Sequence, residues 1–433
     1  MSEFQAIILA AGRGSRMYPL TEDCPKALLP VGNQPLIWYP IQLLEQNGFN
    51  EALVVVRDSA AGAVSDALSN LRGLRIKLST VTIPETEDWG TADSLRHIRN
   101  KIHSDVLLIS CDLITTVPLR TLMDFHQVHE CTLTSLLVRE EGSKRSTERD
   151  IVGLSGDSRL VYMSAQADLD DHLTLNRAML KRYPHIRLFT ELLDSHLYLI
   201  KKWVVDHLAD NREVSSVKGE LVPYLVHHQS IRANETYTKP LKQALVKAAS
   251  SCVDELETLA YEFSSFNGHI GGNKEFREDL IRCHALLLGS EFTTRVNTLP
   301  AFTEANRMIS GHLSAFGLEK PLSQPNWRSK GVSVSPDSQV ASSAQLAEKV
   351  SVKKACIGEH CSIGERSKVI NCVIMDHVNI GEGCSLQGCV VCSHARLEER
   401  VTLKDCYVGA NFTITKEADM RGETLVVGGG LHF

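Results

Sequence analysis

Two glycines, an arginine and a lysine follow closely on the first apolar run of this chain. The run is Ala6-Ile7-Ile8-Leu9, and after it come Gly12, Gly14, Arg16 and Lys26. A Gly-x-Gly turn behind a buried strand lets main-chain N–H groups approach phosphate oxygens closely. Arg16 and Lys26 would then neutralise a triphosphate and stabilise a departing pyrophosphate. The turn is neither a P-loop, since no Gly-Lys-Ser/Thr follows, nor a dinucleotide fingerprint. Asp112 stands two residues after another apolar strand, Val106 to Ser110. At the carboxyl end of a strand in an α/β sheet, such a position faces the ligand crevice. Blander roles stay open for each: Thr91 in Gly90-Thr91-Ala92 suits a helix N-cap, a lone aspartate after a strand caps turns, and Arg16 and Lys26 also read as surface charge.

These residues need a scaffold, and residues 5–110 supply its pattern. Apolar runs alternate with helical spacing in the βαβ manner, which predicts a largely parallel sheet covered on both faces. Strands are expected at Ala6–Leu9, Leu53–Val56 and Val106–Ile109, with helices at Leu36–Gln46, about Ala63–Leu71 and Thr91–Lys101. Between 130 and 230 the pattern is mixed, with strands at Leu133–Val138 and Leu197–Ile200 and a charged loop at Glu140–Asp150. Residues 235–330 show no repeat; a helix at Ala248–Phe263 and a linker at Pro321–Pro325 are the readings there.

The last hundred residues carry a different signal, a repeat every seventeen positions. One file runs Val340, Ile357, Ile374, Val391, Val408; a second Leu346, Ile363, Ile380, Leu397, Ile414; a third Val352, Val369, Leu386, Leu403. Cys372, Cys389 and Cys406 keep the same step. Aliphatic residues therefore recur after six, six and five residues, the rhythm of a parallel β-helix with three short strands per coil. An antiparallel sandwich would show alternation and irregular turns instead. Each buried aliphatic contributes about 1.5–3 kcal/mol, so no coil stands alone and several must stack. Gly358, Gly364, Gly381 and Gly409, each after an inward aliphatic, are expected at tight corners needing positive φ.

Composition narrows the classes. With 433 residues the chain exceeds a single core and should hold two or three domains. We expect residues 1–235 as the α/β domain, 236–330 as a linker or helical region, and 331–433 as the β-helix. A formal charge of −6 and a pI near 6.3 speak against a partner gripped by its phosphate backbone, so no direct nucleic acid is expected. No run of eighteen apolar residues suggests a membrane span. The start, Met1-Ser2-Glu3, lacks the features of a secretory leader. The expectation is a cytoplasmic, cytosolic protein whose twelve cysteines are free thiols. Cys389-x-x-Cys392 alone has metal-like spacing, and no second pair accompanies it.

The full string Leu9 to Thr21, with Pro25-Lys26-Ala27-Leu28-Leu29-Pro30-Val31 behind it, resembles the signature of the sugar-phosphate nucleotidyltransferases. That family joins a Rossmann-like domain with a mostly parallel sheet to a left-handed parallel β-helix, so the resemblance implies that α/β fold class. Gly90-Thr91-Ala92-x-Ser94-Leu95 is similar to its nucleotide and sugar segment, and Asp112 sits where it places a magnesium-binding aspartate. The sugar half departs from the pattern. Met163-Ser164-Ala165-Gln166-Ala167-Asp168 lacks the expected lysine and proline, and Asp194-Ser195-His196-Leu197-Tyr198 puts a histidine where a small residue admits the sugar. The resemblance then implies no catalytic residue and no required cofactor, with Gly12, Gly14, Arg16 and Lys26 as a remnant nucleotide site and Asp112 as a remnant metal site.

Further strings narrow the resemblance to one branch. Gly90 to Arg96, Ser110 to Thr115, Asn33 to Pro40, Ala167 to Asp170 and Glu220 to Val226 are similar to the gamma-type subunits of the guanine nucleotide exchange factor for translation initiation factor two. This implies an epsilon subunit as direct partner, alpha, beta and delta subunits in the full assembly, and initiation factor two as the protein acted on. The exchange-catalysing helical domain lies at the end of the epsilon chain, and none is expected after Phe433. The alternatives are an active enzyme such as a mannose-1-phosphate guanylyltransferase, or an inactive regulator of one. The apolar segment Leu425–Phe433 is a poor solenoid cap in water and is expected to be covered.

Overall fold

The computed structural model describes residues 3–71, 73–85, 89–139, 149–156, 158–165, 173–229, 281–287, 289, 291–318 and 331–426. The helix expected at 248–263, the linker at 321–325, most of the loop 140–150 and the segments 166–170 and 427–433 lie outside these residues.

A seven-stranded sheet forms the first unit. Its strand order is Cys283–Leu287, Leu133–Arg139, Leu192–Ile200, Asp105–Ser110, Phe4–Leu9, Glu51–Arg57 and Lys77–Ile83. Only Leu192–Ile200 runs antiparallel to its neighbours. Strand side chains alternate between faces, and both faces are buried here. Ile7, Leu108 and Tyr198 pack into one core, while Ile8, Leu107, Ile109 and Leu197 pack into the other. Helices Trp38–Gln46, Asp58–Asn70 and Thr91–Ile98 occur where the apolar spacing places them, the second starting five residues earlier than the pattern suggested. Of the region read as linker or helical, residues 283–287 add the edge strand of this sheet. Thr293–Arg295 pairs antiparallel with Leu113–Thr115, and Leu299–Ile309 is a helix.

From Ser333 onward the chain winds into three parallel sheets of six, six and five short strands. Register follows the period read from sequence: Val340 pairs with Ile357, then Ile374, Val391 and Val408. The files from Leu346 and Val352 stack likewise. All three files lie in one buried core. The first coil is one residue longer, since Val334 pairs with Val352.

The corners differ from expectation. Gly358, Gly364, Gly381 and Gly409 do not adopt positive φ. They are glycine because the next coil lies against them: a Cβ on Gly364 would stand 2.6 Å from the Gly381 carbonyl carbon, and one on Gly381 2.7 Å from that of Glu398. Positive φ instead falls on three other files, among them Arg366 and Arg400, Asn371 and Asp405, and His360, His377 and His394. A residue with a Cβ gives up roughly 1 kcal/mol or more in that region. The turn aims its N–H along the solenoid axis, where it donates to the coil before: Arg366 to the Glu348 carbonyl, Asn371 to Lys353, His377 to Glu359, at 2.8–3.0 Å. Outside the coil, the three histidine rings stack 5.0 and 4.9 Å apart.

One outward file is apolar: Cys356, Val373 and Val390 are buried, and Tyr407 half-buried, against the first unit and the helix Leu299–Ile309. Asn33 ties the two, its Nδ2 donating to the Ile357 carbonyl at 2.9 Å while the Cys356 thiol donates to its Oδ1 at 3.0 Å. All described cysteines are free. Cys389 belongs to the solenoid core and Cys392 to this interface, so the pair does not converge.

The packing predicts opposite outcomes for two charge changes. Val391→Asp places a carboxylate among stacked aliphatics at a cost of several kcal/mol and should unfold the C-terminal coils. Glu399→Lys breaks only an exposed pair with Lys416 and should change stability by less than about 1 kcal/mol. Chemical denaturation followed by far-UV circular dichroism separates them; equal stabilities would mean the inward register is wrong.

Candidate functional site

The cleft is assembled at the carboxyl ends of Phe4–Leu9 and Asp105–Ser110. Beyond Leu9 the chain stays pinned to the sheet, with the Ala10 N–H on the Val55 carbonyl and Arg57 Nε on that of Ala11, at 2.8 and 2.6 Å. Gly14 turns left-handed at φ 71° and leads into the one-turn helix Ser15–Met17. A Cβ there would meet Thr21 Cγ2 at 2.8 Å and Lys26 Cβ at 3.2 Å, so this glycine is required twice over. Thr21 Oγ1 donates to the Gly14 carbonyl at 2.9 Å and closes the loop. Gly12 and Arg16 lie on the loop's exposed side, and a Cβ at Gly12 would meet nothing within 4 Å.

The fold brings Lys26 and Asp112 together. Lys26 Nζ donates to Asp112 Oδ2 at 2.5 Å, and the aspartate is 1% exposed. The second cation was not legible in sequence: Arg295 Nε lies 3.3 Å from Oδ2 and 3.4 Å from Oδ1. Its strand is held beside Leu113–Thr115, with the Val296 N–H on the Asp112 carbonyl at 2.8 Å. Burial alone would raise the Asp112 pKa, but Lys26 and Arg295 outweigh it and hold the carboxyl well below the usual carboxylate range. A magnesium ion needs near-octahedral oxygen ligands at about 2.0–2.1 Å. Asp112 meets a cation at both oxygens, and among the described residues no three His, Cys, Asp or Glu side chains gather to hold a metal. The donor set does not fit the ion that the resemblance implies.

The sugar side is filled as well. Strand Leu192–Ile200 shifts register between Asp194 and Tyr198. Within that bulge His196 takes φ 57°, a conformation unusual for a residue with a Cβ. Burial holds its imidazole far below the ordinary value, and Arg295 adds to the effect. Asp194 accepts from Ser135 Oγ and the His196 N–H, each at 3.2 Å, and from the Tyr198 hydroxyl. Burial raises its pKa. Behind it Lys218 pairs with buried Asp150 at 2.9 Å. The Thr91 end of the helix Thr91–Ile98 is also covered: the Ala92 N–H donates to the Ser215 carbonyl and the Val217 N–H to Thr91 Oγ1, both at 2.8 Å. Gly90, not Thr91, is the N-cap. A cavity among the described residues here, lined by residues including Thr91, Ser110, His196, Tyr198 and Lys218, has a volume of about 20 Å³. That accommodates about one water molecule, against roughly 300–1,000 Å³ for small-molecule pockets.

Ser164 and Ala165 end the strand Leu160–Ala165 without the lysine expected of an enzyme, and 166–168 lie outside the described residues. Arg295 and Lys218 carry no motif, each being an isolated cation in a stretch without period. Asp194 and Tyr198 lay in the string already marked as divergent.

Removing the central charge should be costly. Asp112→Asn leaves Lys26 and Arg295 without their anion and should destabilise the chain by about 3–5 kcal/mol. Since the folded carboxyl is held below its unfolded value, its contribution is complete above about pH 4 and drains away as the pH falls further. Urea unfolding of wild type and Asp112→Asn should therefore differ most near neutrality and converge in acid. A gap that does not change with pH would exclude ionised Asp112 as its source.

The nucleotidyl transferase family model matches residues 5–146, and that of the EIF2B subunit epsilon LbH (left-handed β-helix) domain matches 324–420. Translation initiation factor eIF2B subunit gamma of Schizosaccharomyces pombe is 30% identical over 71% of this chain and 66% of its own length. The protein of that name from Dictyostelium discoideum is 26% identical over 84% of this chain and 89% of its own. A mannose-1-phosphate guanylyltransferase of Mycobacterium tuberculosis is more distant, 24% identical over 52% of this chain and 56% of its own. This chain spans slightly under two thirds of the Schizosaccharomyces pombe relative and most of the Dictyostelium discoideum one. With a nucleotidyl transferase unit and a β-helix behind it, the chain is similar to eIF2B gamma subunits over most of its length.

Proposed function

We propose that this chain is a regulatory, non-catalytic subunit of the exchange factor that promotes GDP release from translation initiation factor two, acting in the cytosol. The observation that carries the reading is the self-filled cleft, with Lys26 and Arg295 on Asp112 and His196 against the sugar side, in a chain similar to eIF2B gamma subunits over most of its length. Such a chain contributes surface. Its epsilon partner would dock directly, and alpha, beta and delta subunits would complete the assembly. No cofactor is needed for this role, and any nucleotide held at Gly12, Gly14, Arg16 and Lys26 would be vestigial.

The alternative is an active guanylyltransferase, and the retained loop from Leu9 to Thr21 favours it. Its chemistry demands an oriented sugar phosphate, and orientation accounts for about 7–11 kcal/mol of such barriers. His196 and the paired Lys218 and Asp150 stand on the sugar side instead of the expected small residue and lysine. Pyrophosphate release from GTP and mannose-1-phosphate should stay at background. Turnover abolished by Lys26→Ala would establish the enzyme instead.

The exchange reading has its own measurement. GDP release from initiation factor two is followed with the epsilon subunit alone, with this chain alone and with both. The pair should co-purify and release GDP faster than epsilon alone, while this chain alone stays at the spontaneous rate. No complex and no difference in rate would end the proposal.

A further inference from the structure

We infer that Arg295 is a built-in replacement for the divalent cation on Asp112, which makes this cleft metal-independent. Lys26 belongs to the string shared with nucleotidyltransferases, so the lysine–aspartate pair on its own departs from nothing in that pattern. Arg295 is the added charge. It comes from residues 293–295, well beyond the 5–146 matched by the nucleotidyl transferase model.

The chain delivers it by construction. Thr293, Thr294 and Arg295 pair with Thr115, Ile114 and Leu113, and the Thr115 and Thr293 hydroxyls meet at 2.6 Å. The Val296 N–H then closes on the Asp112 carbonyl, so the guanidinium is held against the carboxylate from both sides of its own residue. Its Nε lies within 3.4 Å of both Asp112 oxygens. A divalent ion bonded to either oxygen would sit against two fixed positive charges in a buried site, where screening is weak. A guanidinium keeps its charge at any physiological pH, so the occupancy of this position does not depend on metal supply.

The test uses the full chain and MnCl2 alone, with free Mn2+ counted by electron paramagnetic resonance and Tm followed across the titration. Wild type should show no saturable Mn2+ and no metal-dependent Tm. Arg295→Met keeps the stem and removes the charge. It should gain one saturable Mn2+ with a Tm that rises on binding, and adding Asp112→Asn should abolish the gain. Lys26→Met should remain without metal, since Arg295 stays in place. Saturable binding to wild type that Asp112→Asn removes would overturn the inference, as would a folded Arg295→Met with no gain. If Arg295→Met does not fold, Arg295→Gln takes its place. If neither folds, the wild-type titration with its Asp112→Asn control decides alone, absence of saturable binding supporting the inference. None of these readouts depends on nucleotide exchange, so this inference and the functional proposal stand or fall separately.

Discussion

A carboxylate with 1% of its surface in water persists only with cations pressed against it, and at Asp112 those cations come from two distant parts of the chain. Lys26 arrives on the loop after the first strand. Arg295 arrives on a strand 183 residues beyond Asp112, which leads into the helix Leu299–Ile309. That helix supplies Asn306, whose Oδ1 accepts from the Gly32 N–H at 3.0 Å. The neighbouring Asn33 binds the solenoid. One buried charge thus fixes the position of a segment that touches both units. The charges that face the cleft thus also join distant parts of the molecule.

The two halves were unequally legible, for physical reasons. A solenoid is nearly one-dimensional: each inward residue meets its counterparts one coil away, so the three-dimensional contact is printed as a fixed sequence interval. The files from Val340, Leu346 and Val352 could be read directly, and the interval even fixed strand register. Corner geometry was less accessible. Gly358, Gly364, Gly381 and Gly409 were expected to mark positive φ but serve close approach, whereas coil-to-coil donation holds Arg366, His377 and Asn371 at positive φ, in files that also include Gly383 and Gly388. The two demands lie within a few residues of each other and leave similar traces in sequence.

The cleft shows the complementary limit. Gly14, Lys26 and Asp112 stood out because a strand, a turn and their spacing confine them to one edge of a sheet. Arg295 and Lys218 left no such trace, because their meaning comes only from what the fold brings opposite them. The antiparallel strand Leu192–Ile200 was seen as divergent at His196, yet the bulge that turns this residue into the cleft follows from pairing with two neighbours at once.

The seventeen-residue coil also governs how such a chain can change length. Loss of one residue from a corner near Gly381 would advance every later position by one, setting Leu386, Val391 and Leu397 outward and their polar neighbours inward. Loss of seventeen would remove one storey and leave the remaining floors aligned. Insertions and deletions in this region are therefore quantised, and the height of the stack can drift in whole storeys while its cross-section stays fixed. The apolar outward file of Cys356, Val373 and Val390 limits even that freedom: the storeys docked against the first unit are anchored, so change in height is confined to the far end.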